Sequence, residues 1–576
     1  MTTLTSFVRP PARWIAPPVV DPAVVAHLAE TLSLPAVLCQ LLVQRGHGDV
    51  EAAKRFLRPR LEHLRDAYEL KGMTHAVDRL VRAIRAGEKI MVHGDYDVDG
   101  MCSTALLTRA FRQLGGNIEP FIPHRIHDGY DLTDAGVRAA IACRARVVLT
   151  ADCGTSALPA VAALCSAGID VIVSDHHLPG GPLPECVAVL NPKQPGCEST
   201  DKDSAAVGIA FKLALAVTRA MRPGNSGDGF VFSLLDLVAL GTVADVVPLD
   251  AVNRRLVEAG LRRMRDGQAN AGINALFDVA KRDVKKATAY DLGFMLGPRV
   301  NAAGRLDDIS LGIECLTTDD PARAAEIADE LDRLNRERKG IESGMREEAD
   351  QLITGTFTPE QKSIVVTDPT WHQGVVGIVA GRLREAHHRP TIVFAPGDVG
   401  ELKGSGRSIP GFHLRDALDL VSKRGPQLMR KFGGHAMAAG LTIAEENFTA
   451  FAQNFEQVAS ELLTPDQLEQ RVESDGSFAL DEFDFDTAHA LYQHVWGQAF
   501  PAPLFDDEFT VMDSRIVGLK HTKMRLKREG RTFDAIRFGC TEPPPQPLRA
   551  AYRVSLSEYQ GVQRLELIIE RWWPVS

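Results

Sequence analysis

Between about residues 76 and 250, short apolar runs alternate with helical stretches, and no other feature limits the possible folds as strongly. His75–Ala86 reads as a helix, with a strand at 89–93 after it. Met101–Leu114 reads as a helix stopped by Gly115-Gly116, and Ile118–Ile122 as a strand. Leu132–Cys143 is a helix capped by Thr133 or Asp134, and Val147–Thr150 is a strand. Ser156–Ala167 is a helix ended by Gly168, Ile169–Val173 a strand, and Ala188–Leu190 a candidate further strand. Repeated βα units of this kind build a parallel sheet with helices on both faces. Ligands of such sheets sit beyond the carboxyl ends of the strands.

Those ends carry the chemistry. KIMVHGDYDVDG (89–100) closes the first strand with His93, Asp95, Asp97 and Asp99. Asp152 follows the 147–150 strand, and Asp175-His176-His177 follows the 169–173 strand. Asp245 is an isolated acid in the apolar, helix-like run LVALGTVADVVPL (237–249). Any one of these would read as a turn or cap residue. Together on one sheet edge they read as a cation site, because carboxylates this close repel unless a cation neutralises them. Carboxylates with imidazoles suit Mn²⁺ or Mg²⁺. The nine cysteines include no CxxC pair, which disfavours a zinc ribbon. Two such metals, about 3.5–4 Å apart, form the usual clamp for phosphoester hydrolysis. Arg125, in the loop past the 118–122 strand, is a candidate phosphate ligand, with a solvated surface charge as the plain alternative.

The remaining chain is long enough for several domains, 576 residues being too many for one core. Residues 1–75 read as a helical N-terminal arm with no chemistry of its own, and 76–318 as the catalytic α/β domain. Within the latter, 251–290 is a locally basic helical surface, and GPRVNAAGRL (297–306) reads as a loop whose backbone, Arg299 and Arg305 suit phosphate. Residues 319–353 read as one long polar connecting helix. A second α/β domain follows at 354–460. Its GELKGSGRS run (400–408) reads as a loop forming an anion nest with Ser405 and Arg407, and FGGHAMAAG (432–440) holds His435. His372, in WHQG, is a further candidate there.

Residues 461–576 turn all-β, with five short strands that suggest an OB-fold. Lys520, Lys523, Arg525, Lys527, Arg528 and Arg531 make the densest basic cluster, suited to single-stranded nucleic acid, and Tyr552 and Tyr559 either stack on bases or pack. A net charge of −10 argues against a protein that coats duplex DNA, though not against an enzyme with a local basic groove. No apolar run reaches membrane-spanning length and no signal pattern opens the chain, so no membrane partner and a cytoplasmic location are expected.

The Asp-His-His triplet, the upstream His-x-x-x-Asp-x-Asp and the two flanking aspartates resemble the DHH phosphoesterase superfamily. GDYDVDG, ALGTVADVVPL, GPRVNAAGRL, WHQGVVGIVAGRL, KGSGRSIPGFHLRDAL and FGGHAMAAGL occur in the order found in its bacterial single-stranded-DNA exonucleases, across nearly the whole chain. The resemblance implies a first metal on His93 and Asp97, a second on Asp99, His176 and Asp245, and Asp152 bridging the two. It implies that Asp175 stands behind the imidazoles and that His177 faces the scissile phosphate. Asp95 is left as a turn residue or an acid behind the ligands. Arg125, Arg305, Ser405 and Arg407 are implied to hold a 5′-phosphate, with Arg299 a less direct partner, while His435 touches substrate. The implied activity is 5′→3′ exonuclease action on single-stranded DNA, releasing 5′-mononucleotides in recombination and repair. The single-stranded-DNA-binding protein and a helicase are the implied partners. Two alternatives stay open: a phosphodiesterase for short oligonucleotides or cyclic dinucleotides, and an inactive replication scaffold.

Overall fold

The computed structural model describes residues 12–575 except 126, 127, 130, 223, 225, 307, 308, 359, 560 and 561. The chain divides into two compact units, one built on 65–247 and 259–470, the other on 13–64, 248–258 and 471–576.

The first unit starts with the catalytic sheet. Strand β1 (Lys89–Gly94) leads into helix α1 (Val98–Gln113), followed by β2 (Asn117–Phe121), β3 (Val147–Ala151), β4 (Asp170–Ser174) and β5 (Ala188–Leu190). The order across the sheet is β2-β1-β3-β4-β5, and every pairing is parallel. Met91, Val148, Val171 and Val173 pack with Val161 and Leu164 from the helix Leu158–Ser166 in one core cluster. Burial on both faces explains the unbroken apolar strands. Helix α2 (Ala206–Met221) and helix α3 (Leu235–Ala244) pack on α1.

Gly297–Leu306, expected as a loop, forms a helix, α4, continuous with the π-helical turn Asp291–Leu296 before it. Its glycines and proline suggest a loop locally, but Val300, Ala302 and Ala303 are buried, and packing overrides the propensity. The long connecting helix is present as α5 (Pro321–Thr356), with the Asp320 side chain capping Ala322 N. At 1.5 Å per residue it is about 54 Å long. Its second half buries Met345, Ala349 and Ile353 in the core of the next domain.

That domain contains β6 (Ile364–Thr367), α6 (Val376–His387), β7 (Thr391–Pro396), β8 (Glu401–Arg407), β9 (Lys431–Gly434) and β10 (Ala438–Ala444). The sheet order is β9-β10-β8-β7-β6. The expected loop over 400–408 is thus the central strand β8. It is paired on both sides, so its N–H groups serve the sheet and cannot form an anion nest. Gly404 and Gly406 sit where side chains would strike Phe394 and Leu414, while Ser405 and Arg407 project from the other face.

The second unit is a closed five-stranded barrel of β11 (Phe505–Val517), β12 (His521–Arg528), β13 (Arg531–Arg537), β14 (Leu548–Tyr559) and β15 (Val562–Pro574), the OB-type architecture expected. The N-terminal segment belongs to it: Val37, Leu38 and Leu41 share a core with Phe505, Leu526 and Leu567. Arg254 lies 3.8 Å over the Phe56 ring. Tyr552 is buried, with its hydroxyl donating to Asp507 at 2.6 Å, so it packs rather than stacks; the Tyr559 side chain lies outside the described residues. Arg528 and Arg531 bond the carbonyls of Phe478, Leu480 and Phe483, which ties their guanidinium groups to the chain itself, while Lys520, Arg525 and Lys527 are exposed.

Candidate metal centre and phosphate pocket

Three groups of side chains converge beyond the carboxyl ends of β1, β3 and β4. They are Asp95/Asp97/Asp152, Asp99/His176/Asp245 and Asp152/His176/His177, with the ligand atoms of each group within 4.8 Å of one another. Local structure aims each one. Asp97 caps α1, its Oδ1 accepting Gly100 N at 3.0 Å. Asp99, inside the first turn of α1, accepts Ala206 N at 2.7 Å and Val207 N at 3.0 Å from the start of α2. Asp152 takes a left-handed backbone, φ 72°, immediately after β3. Asp245 ends α3.

The charge balance calls for cations. Burial, reinforced by neighbouring carboxylates, pushes Asp99 up to about 7 and Asp245 up to about 9. It raises Asp152 and Asp95 well above the usual carboxylate range for the same reasons. Burial lowers His176 to about 3, so its ring is neutral, as a metal ligand must be. Asp95 Oδ1 is buried without a hydrogen-bond partner, and His176 Nε2 lies 3.2 Å from Asp152 Oδ1 and 3.5 Å from Asp245 Oδ2, a neutral imidazole set among carboxylates. Orphaned polar atoms of this kind are rare in proteins, and an oxygen- and imidazole-rich set fits divalent Mn or Mg.

His177 behaves differently. Burial works against its charge, but the hydrogen bond from Nδ1 to Asp175 at 2.7 Å and the surrounding carboxylates raise it to about 9. Asp175 also accepts His176 N and Thr155 N, and the hydrogen bond and charge of His177, with the Thr155 bond, hold it below the usual range despite burial. His176 and His177 are thus a neutral and a cationic imidazole side by side. The His435 ring lies parallel to that of His177, centroids 6.3 Å apart.

His93 does not join these clusters. Its Nε2 lies under helix 134–142, where a Cβ on Gly136 would be 2.6 Å away, and its ring packs on Phe121. His93 points from within β1 into the sheet–helix layer, whereas Asp95 lies beyond the strand end and takes the place expected of His93. Asp95 and Asp97 flank Tyr96, whose ring lies 4.6 Å from the Arg125 guanidinium.

Arg125, Arg305 and Arg407 form the second part of the site. Arg305 donates to Gly374 O at 3.0 Å, and Arg407 donates to Ser405 Oγ at 3.2 Å. Burial, with the charges of Arg125, Arg338 and Arg407, lowers Arg305 to about 9, and burial with Arg125 and Arg384 lowers Arg407. Among the described residues no carboxylate pairs with any of the three. The α6 N-terminus lies against them: a Cβ on Gly377 would be 2.9 Å from Ser405 Oγ and 3.1 Å from Arg407 Nη2. His372 Nδ1 accepts Gly374 N at 3.1 Å and holds that turn. Guanidinium groups and a helix N-terminus together suit a phosphate. The sequence reading missed Tyr96, Gly374, Gly377 and the α6 terminus. The glycine spacing in WHQGVVG was the available signal. Arg299 is absent from the pocket, because Asp332 of α5 takes its guanidinium at 2.9 Å and Met295 O takes Nη1.

Fold and site together define a DHH-type phosphoesterase arrangement. Residues 89–242 match the DHH family, N-terminal domain, 360–461 the DHHA1 domain and 474–571 the RecJ OB domain. The chain belongs to the RecJ family. It is 43% identical to the single-stranded-DNA-specific exonuclease RecJ of Dickeya dadantii over 94% of this chain and 97% of that one. It is 43% identical to the Escherichia coli protein of the same description, over 94% and 96%. The crystal structure of Thermus thermophilus RecJ in complex with Mn²⁺ superposes with a TM-score of 0.81 at 29% identity, covering 98% of this chain and 80% of that one. No helix among the described residues is long and apolar enough to cross a membrane.

Proposed function

We propose that the protein is a metal-dependent 5′→3′ exonuclease on single-stranded DNA, releasing 5′-mononucleotides. Asp95, Asp97 and Asp152 would hold one divalent cation, and Asp99, His176, Asp245 and Asp152 a second. Mn²⁺ or Mg²⁺ bound there supplies an acidified water and neutralises phosphate charge. His177, cationic and braced by Asp175, donates a hydrogen bond to the scissile phosphate, and His435 beside it contacts the substrate. Arg125, Arg305, Ser405, Arg407 and the α6 N-terminus grip the terminal 5′-phosphate, and this grip sets the polarity.

The carrying observation is the Tyr96 contact. One loop supplies Asp95 and Asp97 to the acidic cluster and stacks its intervening ring on Arg125 of the acid-free pocket. A terminal phosphate in that pocket therefore lies next to the acidic centre. Further support comes from relatives described as single-stranded-DNA-specific exonucleases and from Thermus RecJ structures in complex with Mn²⁺ or Mg²⁺. The Arg525 and Lys527 face of the barrel would hold the incoming strand. We place the work in cytoplasmic DNA recombination and repair, with single-stranded-DNA-binding protein and a helicase as partners.

The test is digestion of 5′-phosphorylated single strands, 5′-hydroxyl single strands and blunt duplex with Mn²⁺. The phosphorylated single strand should be degraded fastest, from its 5′ end, to mononucleotides. Equal attack on duplex, or attack from the 3′ end, would sink the proposal.

A further inference from the structure

Val246 directly follows Asp245 and adopts φ 63°. Glycine is the usual residue at this point past a helix end, and a β-branched side chain there is strained. The strain serves no core, since Val246 is 60% exposed. Tyr290 and Phe294 are also exposed, at 53% and 65%, with rings stacked 4.9 Å apart and 24° from parallel. Tyr290 immediately precedes the π-helical turn Asp291–Leu296 and Phe294 lies within it, a rare geometry that concentrates at functional sites. That turn packs on the metal-binding segments. A Cβ on Gly293 would be 3.3 Å from Val243, and one on Gly297 would be 3.6 Å from Ala244 and 3.9 Å from Val98, the residue between Asp97 and Asp99. Leu178, beside His177, and Met437, two residues past His435, are exposed as well.

Large exposed apolar side chains are thus carried on segments that bear the metal-binding residues or pack against them, where water alone would favour polar ones. Resting on the exonuclease reading above, we infer that Val246, Tyr290 and Phe294 form an apolar rim that takes the unstacked bases of the strand entering the centre, and that this rim selects for single strands. Every base has a flat face, so stacking is indifferent to sequence. Bases in a duplex already stack on their neighbours, and inward of the terminal pair they offer such a rim only edges and phosphates. The phosphate pocket can grip the end of either form; the rim rewards only the unpaired one.

The experiment compares the whole protein with the Tyr290→Ala/Phe294→Ala, Phe294→Leu and Val246→Gly variants. Substrates are a 5′-phosphorylated oligo-dT and the same strand with base-free sugars in its first six positions. In Mn²⁺, wild-type KM should be at least tenfold higher on the base-free strand. The double variant should show the high KM on both strands, and Phe294→Leu should fall between. Val246→Gly should raise Tm by releasing strain and yet raise KM severalfold; a purely structural role would move Tm alone. Equal KM on the two strands for wild type, or a tenfold difference retained by the double variant, would overturn the rim. If wild type leaves every 5′-phosphorylated single strand intact, the exonuclease reading fails and the rim with it. Digestion that ignores the missing bases removes the rim and spares that reading.

Discussion

The acidic cluster and the arginine pocket are opposites within one unit. The first gathers carboxylates that lack cations, so burial and mutual repulsion raise Asp95, Asp99, Asp152 and Asp245. The second gathers guanidinium groups that lack anions, and burial with mutual repulsion lowers Arg305 and Arg407. Each region alone is an unfavourable concentration of charge, and each lacks what a metal-bound phosphate end brings. A folded protein tolerates such frustration where a ligand relieves it. The ordinary ion pairs nearby, such as Arg299 with Asp332, carry no such deficit.

The contrast can be broken from either side. Asp152→Asn, which removes the carboxylate common to two of the three clusters, should lower kcat by at least about a thousandfold, with circular dichroism unchanged. Residual activity near wild type would contradict the metal assignment. Arg305→Ala should lower kcat/KM on 5′-phosphorylated strands by about 10–100-fold, the worth of a charge-assisted bond, and barely affect 5′-hydroxyl strands. An equal loss on both ends would mean that the pocket does not read the phosphate.

His177→Gln should cost about tenfold or more in kcat, with a smaller change in KM. Metal binding should also appear as stability. Without metal, carboxylates whose folded pKa is raised bind more protons folded than unfolded, so they favour the fold at low pH. That contribution is lost as pH climbs from the unfolded value near 4 toward the 9 of Asp245. The Mn²⁺-induced rise in Tm should therefore be larger at pH 8 than at pH 6, and a gain independent of pH would argue against these ligands. Smallest in activity is Arg299→Met. It should leave the phosphate preference intact and cost about 1 kcal/mol of stability in denaturant melts, through loss of a largely buried ion pair, since Asp332 keeps Arg336 at 3.0 Å.

Much of this was legible in the sequence, and the failures have physical causes. The βα rhythm and the acids at strand ends gave the catalytic sheet, because period and chain direction together dictate which edge binds. His93 misled because motif spacing carries no information on which way a strand residue points; its ring went to Phe121 and Gly136. Gly404 and Gly406 look like loop residues, yet they are glycines because a strand must pass over Phe394 and Leu414. Arg299 and Arg305 are six residues apart on one helix and look alike in sequence, and only the place of Asp332 on α5 separates a structural arginine from a candidate phosphate ligand. The strain at Val246 and the stacked pair Tyr290 and Phe294 left no sequence signal, because both depend on backbone geometry.

The Tyr96 loop joins the two opposed regions at a fixed spacing, and that spacing bears on how a long strand is consumed. In the proposed reaction the bond between phosphorus and the 3′ oxygen breaks, so the phosphate stays with the shortened strand. Each cut thereby recreates the handle that the arginines held one cycle earlier. The pocket then works as the pawl of a ratchet whose teeth the enzyme cuts as it advances, and only the first tooth has to be supplied by whatever made the end.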